Sequence, residues 1–128
     1  MQHFTALKDV NDPTSLLNSA QLFAESPHAQ PELGKGKVLG MIFFNSSLRT
    51  RMSTQRAAQL LGMDYIVLNI VNDGWQLEFA DGVVMDEGKA EHIKEAAAVM
   101  GQYCDVLAIR TFASLVDRKA DYEEKLLS

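Results

Sequence analysis

Three short apolar runs divide the chain, and each predicts a buried β-strand. They are Val38 to Phe44, Tyr65 to Ile70 and Asp105 to Arg110. The stretch that follows Phe44 is rich in helix formers, and the stretch Glu91 to Gln102 carries its apolar residues on one helical face. A strand, a helix and a second strand in this order predict a right-handed crossover between parallel strands.

This alternation predicts an α/β fold: a parallel sheet flanked by helices on both faces, in three αβα layers. A further helix is expected upstream, because Asp12 followed by Pro13 is typical of an N-cap and a first helical residue. The apolar residues of that helix fall on one face; they are Leu16, Leu17, Ala20, Phe23 and Ala24.

The interval from residue 71 to residue 90 does not fit the alternation. Asp81-Gly82 between short apolar runs predicts a small hairpin there. Trp75, after Gly74 in a polar stretch, is either a local hydrophobic anchor or an aromatic side chain that reaches a partner surface. The last residues, 121 to 128, have a helical pattern without a Gly or Pro stop, which predicts a chain that is cut short.

Composition limits the function classes. With 128 residues, of which 47% are apolar, the chain is expected to form one globular domain or most of one. A net charge of −5 argues against general nucleic-acid binding, and the absence of a long apolar run argues against a membrane span. We therefore expect a cytoplasmic protein. The single Cys104 forms no internal disulfide, and the acids near His92 lack the spacing of a metal site.

The turn after the first strand is the main candidate for chemistry. It brings the hydroxyls of Ser46, Ser47 and Thr50 and the guanidinium groups of Arg49 and Arg51 to one helix N-terminus, with no Asp or Glu between residues 38 and 63. Cations are unfavourable at that positive end, whereas phosphate binds well to helix N-termini and to arginine. The turn thus predicts an anion site. The alternative is an ordinary serine N-cap with solvated arginines.

Arg110 is a second candidate because it ends the third strand. Ligands of open α/β sheets bind beyond the carboxyl ends of the strands, so Arg110 can meet the turn at one site. Two arginines from separate strands would hold a dianion better than one. The alternative for Arg110 is a surface ion pair with Asp105 or Asp117.

The segment Ser47-Leu48-Arg49-Thr50-Arg51-Met52-Ser53 resembles the carbamoyl-phosphate signature of the aspartate/ornithine transcarbamylases. That signature reads Ser-Thr-Arg-Thr-Arg, one further residue and Ser, so this chain differs at Leu48. The resemblance implies that Ser47, Leu48, Arg49 and Thr50 bind carbamoyl phosphate, Leu48 through its backbone N–H. Arg110 would reach the same ligand, and Arg51 would support the site. Arg49, Thr50 and Arg110 would be catalytic, with no cofactor and no metal.

Two further segments narrow the resemblance. The segment Gly74 to Glu78 looks like the N-acylornithine branch of this family. So does the segment Met85 to Ala90, which stands in place of a Gly-Glu-Ser type segment. Together they look most like the N-succinylornithine type. In that branch Trp75 comes from a neighbouring subunit of a homotrimer and completes a shared carbamoyl-phosphate site. Relatives tend to have Pro or Glu near Ala90, so the acyl preference stays open.

Members of this family are much longer and have a second domain. The resemblance implies that residues 1–128 are a truncated N-terminal, carbamoyl-phosphate-binding domain. The implied activity transfers a carbamoyl group to the δ-amine of N-succinylornithine or N-acetylornithine, a step of arginine biosynthesis. Two alternatives remain: an ornithine carbamoyltransferase, and a non-catalytic module that binds a phosphorylated metabolite.

Overall fold

Strand β1 (Val38–Phe43) lies at the centre of a three-stranded parallel sheet, between β2 (Asp64–Asn69) and β5 (Val106–Arg110). These elements belong to a computed structural model that describes residues 4–70, 76–79, 82 and 91–112. The other elements are a short 3-10 helix (Leu7–Asp9), helices α1 (Pro13–Glu25), α2 (Leu48–Leu60) and α3 (Ile93–Tyr103), and strands β3 (Leu77–Glu78) and β4 (Glu91–His92). The predicted parallel pairing is confirmed.

The two faces of β1 contact different helices. Met41 and Phe43 pack in a cluster with Ala58 of α2. Ile42 points to the other face and packs with Ala96 and Met100 of α3. Because successive side chains of a strand alternate between faces, one apolar run serves both helices, and the predicted three-layer architecture is confirmed.

A charged contact joins the two residues that directly precede β1 and β5. Lys37 Nζ lies 2.8 Å from Asp105 Oδ1, and the Val38 N–H donates to Asp105 Oδ2 at 2.9 Å. The third strand was predicted to begin at Asp105, but the carboxylate of this residue is an acceptor in the contact and the strand begins one residue later. The contact sets the register that places the ends of β1 and β5 side by side.

Helix α2 ends at Leu60, Leu61 is its C-cap, and the glycine that the sequence predicted at this end follows directly. Gly62 has a φ of +74°, a conformation that favours glycine because a Cβ would be strained there. A Cβ would also overlap the carbonyl oxygen of Pro31. The tight turn leads directly into β2.

Helix α1 begins as predicted, but its apolar face is not buried. The Asp12 side chain accepts from the Ser15 N–H at 3.0 Å, and Pro13 is the first helical residue. None of the residues of α1 is buried, and Leu17 is largely exposed. The described part of the chain therefore offers no surface that covers this face.

Helix α3 starts two residues later than the pattern predicted. Glu91 and His92 instead pair in parallel with Leu77 and Glu78, and His92 Nδ1 then accepts from the Lys94 N–H at 3.1 Å as the helix cap. The predicted hairpin at Asp81 and the helical pattern of residues 121–128 fall outside the described residues. None of the helices in the described ranges is long and apolar enough to cross a membrane.

Candidate anion-binding site

The first turn of α2 is held by two of the predicted site residues. Ser47 is its N-cap, and Ser47 Oγ accepts from the Thr50 N–H at 3.3 Å. The Ser47 hydroxyl also donates to Thr50 Oγ1 at 3.1 Å. Leu48 and Arg49 occupy the first two helical positions, where a helix provides no acceptor for the backbone N–H. These N–H groups are therefore available to an anion beyond the helix end.

Arg110 reaches this turn from the end of β5. Its Nη1 donates to Thr50 Oγ1 at 2.7 Å. The backbone explains the approach: Phe43 lies opposite Arg110 in the register of β1 and β5, and the Phe44 N–H donates to the Arg110 carbonyl at 3.0 Å. The structure thus brings Ser47, Thr50 and Arg110 together.

One atom of Arg110 lacks a partner among the described residues. Its Nε is buried and makes no hydrogen bond within residues 4–70, 76–79, 82 and 91–112. A buried donor without an acceptor costs about 1–3 kcal/mol, so such atoms are uncommon unless a ligand or an ordered solvent molecule satisfies them. The geometry fits an acceptor of negative charge beside the start of α2.

The arginines of α2 are not neutralised. Arg49 and Arg51 are exposed, and across the described ranges neither forms an ion pair with a carboxylate. Of the two ion pairs considered for Arg110, the one with Asp105 is not found among the described residues, where Asp105 contacts Lys37. Asp117 lies outside the described residues. The charges of Arg49, Arg51 and Arg110 add to the positive end of the helix, and this arrangement favours a small anion over a neutral ligand.

Two residues of the site were missed by sequence reasoning. Asn45 Oδ1 accepts from the Phe112 N–H at 2.7 Å. The Phe112 ring centroid lies 4.4 Å from Cζ of Arg110. An Asn that follows a strand and an aromatic two residues after the strand-end arginine are the only sequence signals, and both are weak.

The other predicted residues are placed as follows. Leu48 is 76% exposed, so its side chain contributes no packing and its contribution to the site is limited to the backbone. Trp75 and Ala90 lie outside the described residues. No group of three or more His, Cys, Asp or Glu side chains that could hold a metal occurs within the part of the chain that the structure describes.

Comparison with known proteins identifies the family and the relatives that this chain resembles. Residues 2–126 match the family described as "Aspartate/ornithine carbamoyltransferase, carbamoyl-P binding domain". The N-succinylornithine carbamoyltransferase of Bacteroides thetaiotaomicron is 48% identical over 128 residues, which is 100% of this chain and 40% of that protein. The N-acetylornithine carbamoyltransferase of Xanthomonas campestris pv. campestris is 39% identical over 129 residues, covering 99% of this chain and 38% of that protein.

A solved structure agrees with the sequence relatives. The crystal structure of acetylornithine transcarbamylase complexed with acetylcitrulline aligns with a TM-score of 0.79 and 38% identity, over 99% of this chain and 38% of that one. This chain spans about two fifths of the length of the curated relatives that it matches. The match over nearly all of its residues shows that the chain belongs to the aspartate/ornithine carbamoyltransferase family.

Proposed function

We propose that this chain is the carbamoyl-phosphate-binding domain, residues 1–128, of a carbamoyltransferase. The complete protein would transfer the carbamoyl group from carbamoyl phosphate to the δ-amine of N-succinylornithine, or of N-acetylornithine, and release the N-acylcitrulline for arginine biosynthesis. The relatives named above carry these two activities in their names.

One observation carries the proposal. The buried Nε of Arg110 has no acceptor in the part of the chain that the structure describes, while Nη1 of the same guanidinium donates to Thr50 at the start of α2. An oxygen of carbamoyl phosphate placed beside the first turn would accept from Nε and from the free N–H groups of Leu48 and Arg49. The Arg49 guanidinium would then supply two parallel donors to the phosphate.

These residues would act by stabilising the negative charge of the phosphate and of the developing oxyanion. The δ-amine nitrogen attacks the carbonyl carbon of carbamoyl phosphate, a tetrahedral intermediate forms, and the bond from carbon to the phosphate oxygen breaks. The amine nitrogen loses one proton, which the departing phosphate carries away as hydrogen phosphate. Arg49 holds the phosphate, and Thr50 and Arg110 lie near the oxygen on which negative charge develops. Removing one such donor typically costs about 3–4 kcal/mol of barrier.

The proposal extends to residues and partners beyond the described site. Trp75 would complete the carbamoyl-phosphate site of a neighbouring subunit in a homotrimer, and a second domain would supply most of the contacts to the amino acid. The chain's length, about two fifths of that of its relatives, supports a longer protein. We place its activity in the cytoplasm.

An assay of the complete protein tests the proposal. Carbamoyl phosphate is supplied with ornithine, N-acetylornithine or N-succinylornithine in parallel, and the citrulline product and the phosphate are both measured. Turnover with either acylated amine is expected to exceed turnover with ornithine. A preference for ornithine would assign the protein to the ornithine enzymes instead. Binding of carbamoyl phosphate without turnover of any amine would identify a non-catalytic module.

A further inference from the structure

The end of β5 is tied to the turn before α2 by contacts that the transfer reaction does not itself require. We propose that Asn45 and Phe112 are positioning residues, which hold the Arg110 guanidinium in the orientation that faces carbamoyl phosphate. This inference rests on the proposed function for its ligand. The contacts that carry it lie in the free protein.

The first step is the connection between the two backbones. Beyond the paired strands, the Phe44 N–H donates to the Arg110 carbonyl at 3.0 Å, and Asn45 Oδ1 accepts from the Phe112 N–H at 2.7 Å. The amide side chain thus continues the contact between the two segments after the sheet has ended. This hydrogen bond fixes the backbone of residue 112, which lies beyond the end of β5.

The second step is the contact between the two side chains. Phe112 follows Arg110 by two residues, just beyond the end of β5. The ring centroid of Phe112 lies 4.4 Å from the Arg110 Cζ, within the range of a cation–π contact. The guanidinium is therefore held by the ring on one side and by Thr50 Oγ1 at one nitrogen.

Fixing the Arg110 side chain has an entropic cost, and these contacts meet it before a ligand binds. A long, unbranched arginine side chain loses much rotamer entropy when it is fixed. Within the described residues its Nε makes no hydrogen bond that offsets this loss, and it would make one only when a ligand binds. The contacts with Phe112 and Thr50 fix the guanidinium in advance, so less ordering is required when the anion binds. The Asn45 contact acts one step further away, through residue 112.

Chemical modification of arginine measures this orientation without a ligand. The complete protein is treated with phenylglyoxal, and the modification rate of each arginine is followed by peptide mass spectrometry. Phe112→Leu removes the ring and Asn45→Ala removes the acceptor, and we expect either variant to raise the rate at Arg110 about threefold to tenfold. The rate at Arg56, which is exposed on α2, should stay unchanged.

Two further variants separate positioning from general stability. Phe112→Tyr keeps a ring over the guanidinium and should restore the slow rate at Arg110. Tyr103→Leu removes an aromatic ring that is 71% exposed at the end of α3 and should leave Arg110 unchanged. If Phe112→Leu does not fold, Phe112→Met removes the ring with an unbranched, flexible side chain that adapts to the space left behind, and the comparison is made with that variant.

The affinity for carbamoyl phosphate distinguishes this inference from the proposed function. Phe112→Leu is expected to raise the Kd about 3- to 20-fold, whereas Phe112→Tyr should not. An unchanged modification rate at Arg110 in both Phe112→Leu and Asn45→Ala would overturn the positioning role, whatever the protein binds. A wild-type protein that does not bind carbamoyl phosphate, with the modification pattern as expected, would overturn the proposed function and leave the positioning role standing.

Discussion

Arg110 donates from Nη1 to Thr50 Oγ1 at 2.7 Å, although 60 residues separate the two positions in the chain. The contact joins the end of β5 to the first turn of α2. Thr50 Oγ1 also accepts from the Ser47 hydroxyl at 3.1 Å, so this one oxygen receives both donors. The guanidinium is thereby held by Nη1, and its buried Nε stays free for an outside acceptor.

Replacing Thr50 tests this shared acceptor. Thr50→Val keeps the shape of the side chain but leaves the Arg110 Nη1 and the Ser47 hydroxyl without their acceptor. The free energy of unfolding should therefore fall by about 1–3 kcal/mol. The catalytic efficiency kcat/KM of the complete protein should fall at the same time. Denaturant unfolding and steady-state kinetics measure the two effects. Thr50→Ser retains the hydroxyl, and a Thr50→Ser protein as impaired as Thr50→Val would contradict the role of the oxygen.

Arg49 is expected to supply affinity and to have little effect on stability. Arg49→Ala should weaken carbamoyl-phosphate binding by about 10- to 100-fold, because hydrogen bonds to a charged group are worth about 1.5–3 kcal/mol. Its unfolding midpoint should hardly change, since the side chain is exposed. Titration calorimetry on the complete protein gives the affinity. Arg56→Ala removes the same charge two turns further along α2 and should bind normally; equal losses in both variants would indicate a general charge effect.

The sequence predicted the elements of this fold better than their contacts. The N-cap at Asp12, the crossover into β2 and the glycine at residue 62 follow from local preferences and were predicted. The contact of Asn45 with Phe112 depends on the register of β1 and β5, which brings together residues far apart in sequence. No local pattern encodes that register, and for this reason both positioning residues were missed.

The helix pattern of α1 shows a second limit. Periodicity predicted the helix correctly, but it gives no information about which surface covers the apolar face. The side chains of Leu16 and Leu17 on this face remain exposed in the described structure. An amphipathic pattern identifies a face that favours burial; the partner has to come from tertiary structure.

Gly62 should be among the least replaceable residues of the fold. Gly62→Ala adds a Cβ at a φ of +74° and also brings it against the Pro31 carbonyl oxygen. We expect a loss of about 3 kcal/mol or more. Gly36 is the matched control, because its φ is +71° but no atom lies near the added Cβ. Gly36→Ala should cost only the backbone strain, about 1–2 kcal/mol. Equal losses in thermal or denaturant unfolding would show that the contact with Pro31 has no effect.

The pair of Lys37 and Asp105 predicts a dependence of stability on pH. The hydrogen bond from Lys37, followed by that from the Val38 N–H, lowers the pKa of Asp105 below its ordinary value of 3.8. A lowered pKa means that the contribution is fully present well above pH 3.8 and is lost as the pH falls through the folded-state pKa. The same contact raises the pKa of Lys37 above 10.5, so its contribution is lost as the pH rises through that higher value.

Unfolding midpoints in urea, measured across the pH range, check both signs. Asp105→Asn removes the acidic titration and leaves an oxygen for the Val38 N–H. We expect this variant to be less stable than wild type at neutral pH and to approach wild type below pH 3.8. The effect should be small, since the pair is exposed to solvent. A difference between variant and wild type that does not shrink in acid would contradict the assignment.

Mixed oligomers test whether Trp75 serves a neighbouring subunit. If the proposed shared site is correct, Trp75→Ala and Arg110→Ala proteins should each have little activity alone, because each would lack one residue of every site. In a cyclic trimer that combines both, one site joins the intact Arg110 of one subunit to the intact Trp75 of the next. Equal mixing with free exchange then makes about a quarter of all sites complete, and activity should recover to about a quarter of the wild-type value. If both residues served the same subunit, no mixture could form a complete site, and activity would stay at the level of the separate variants.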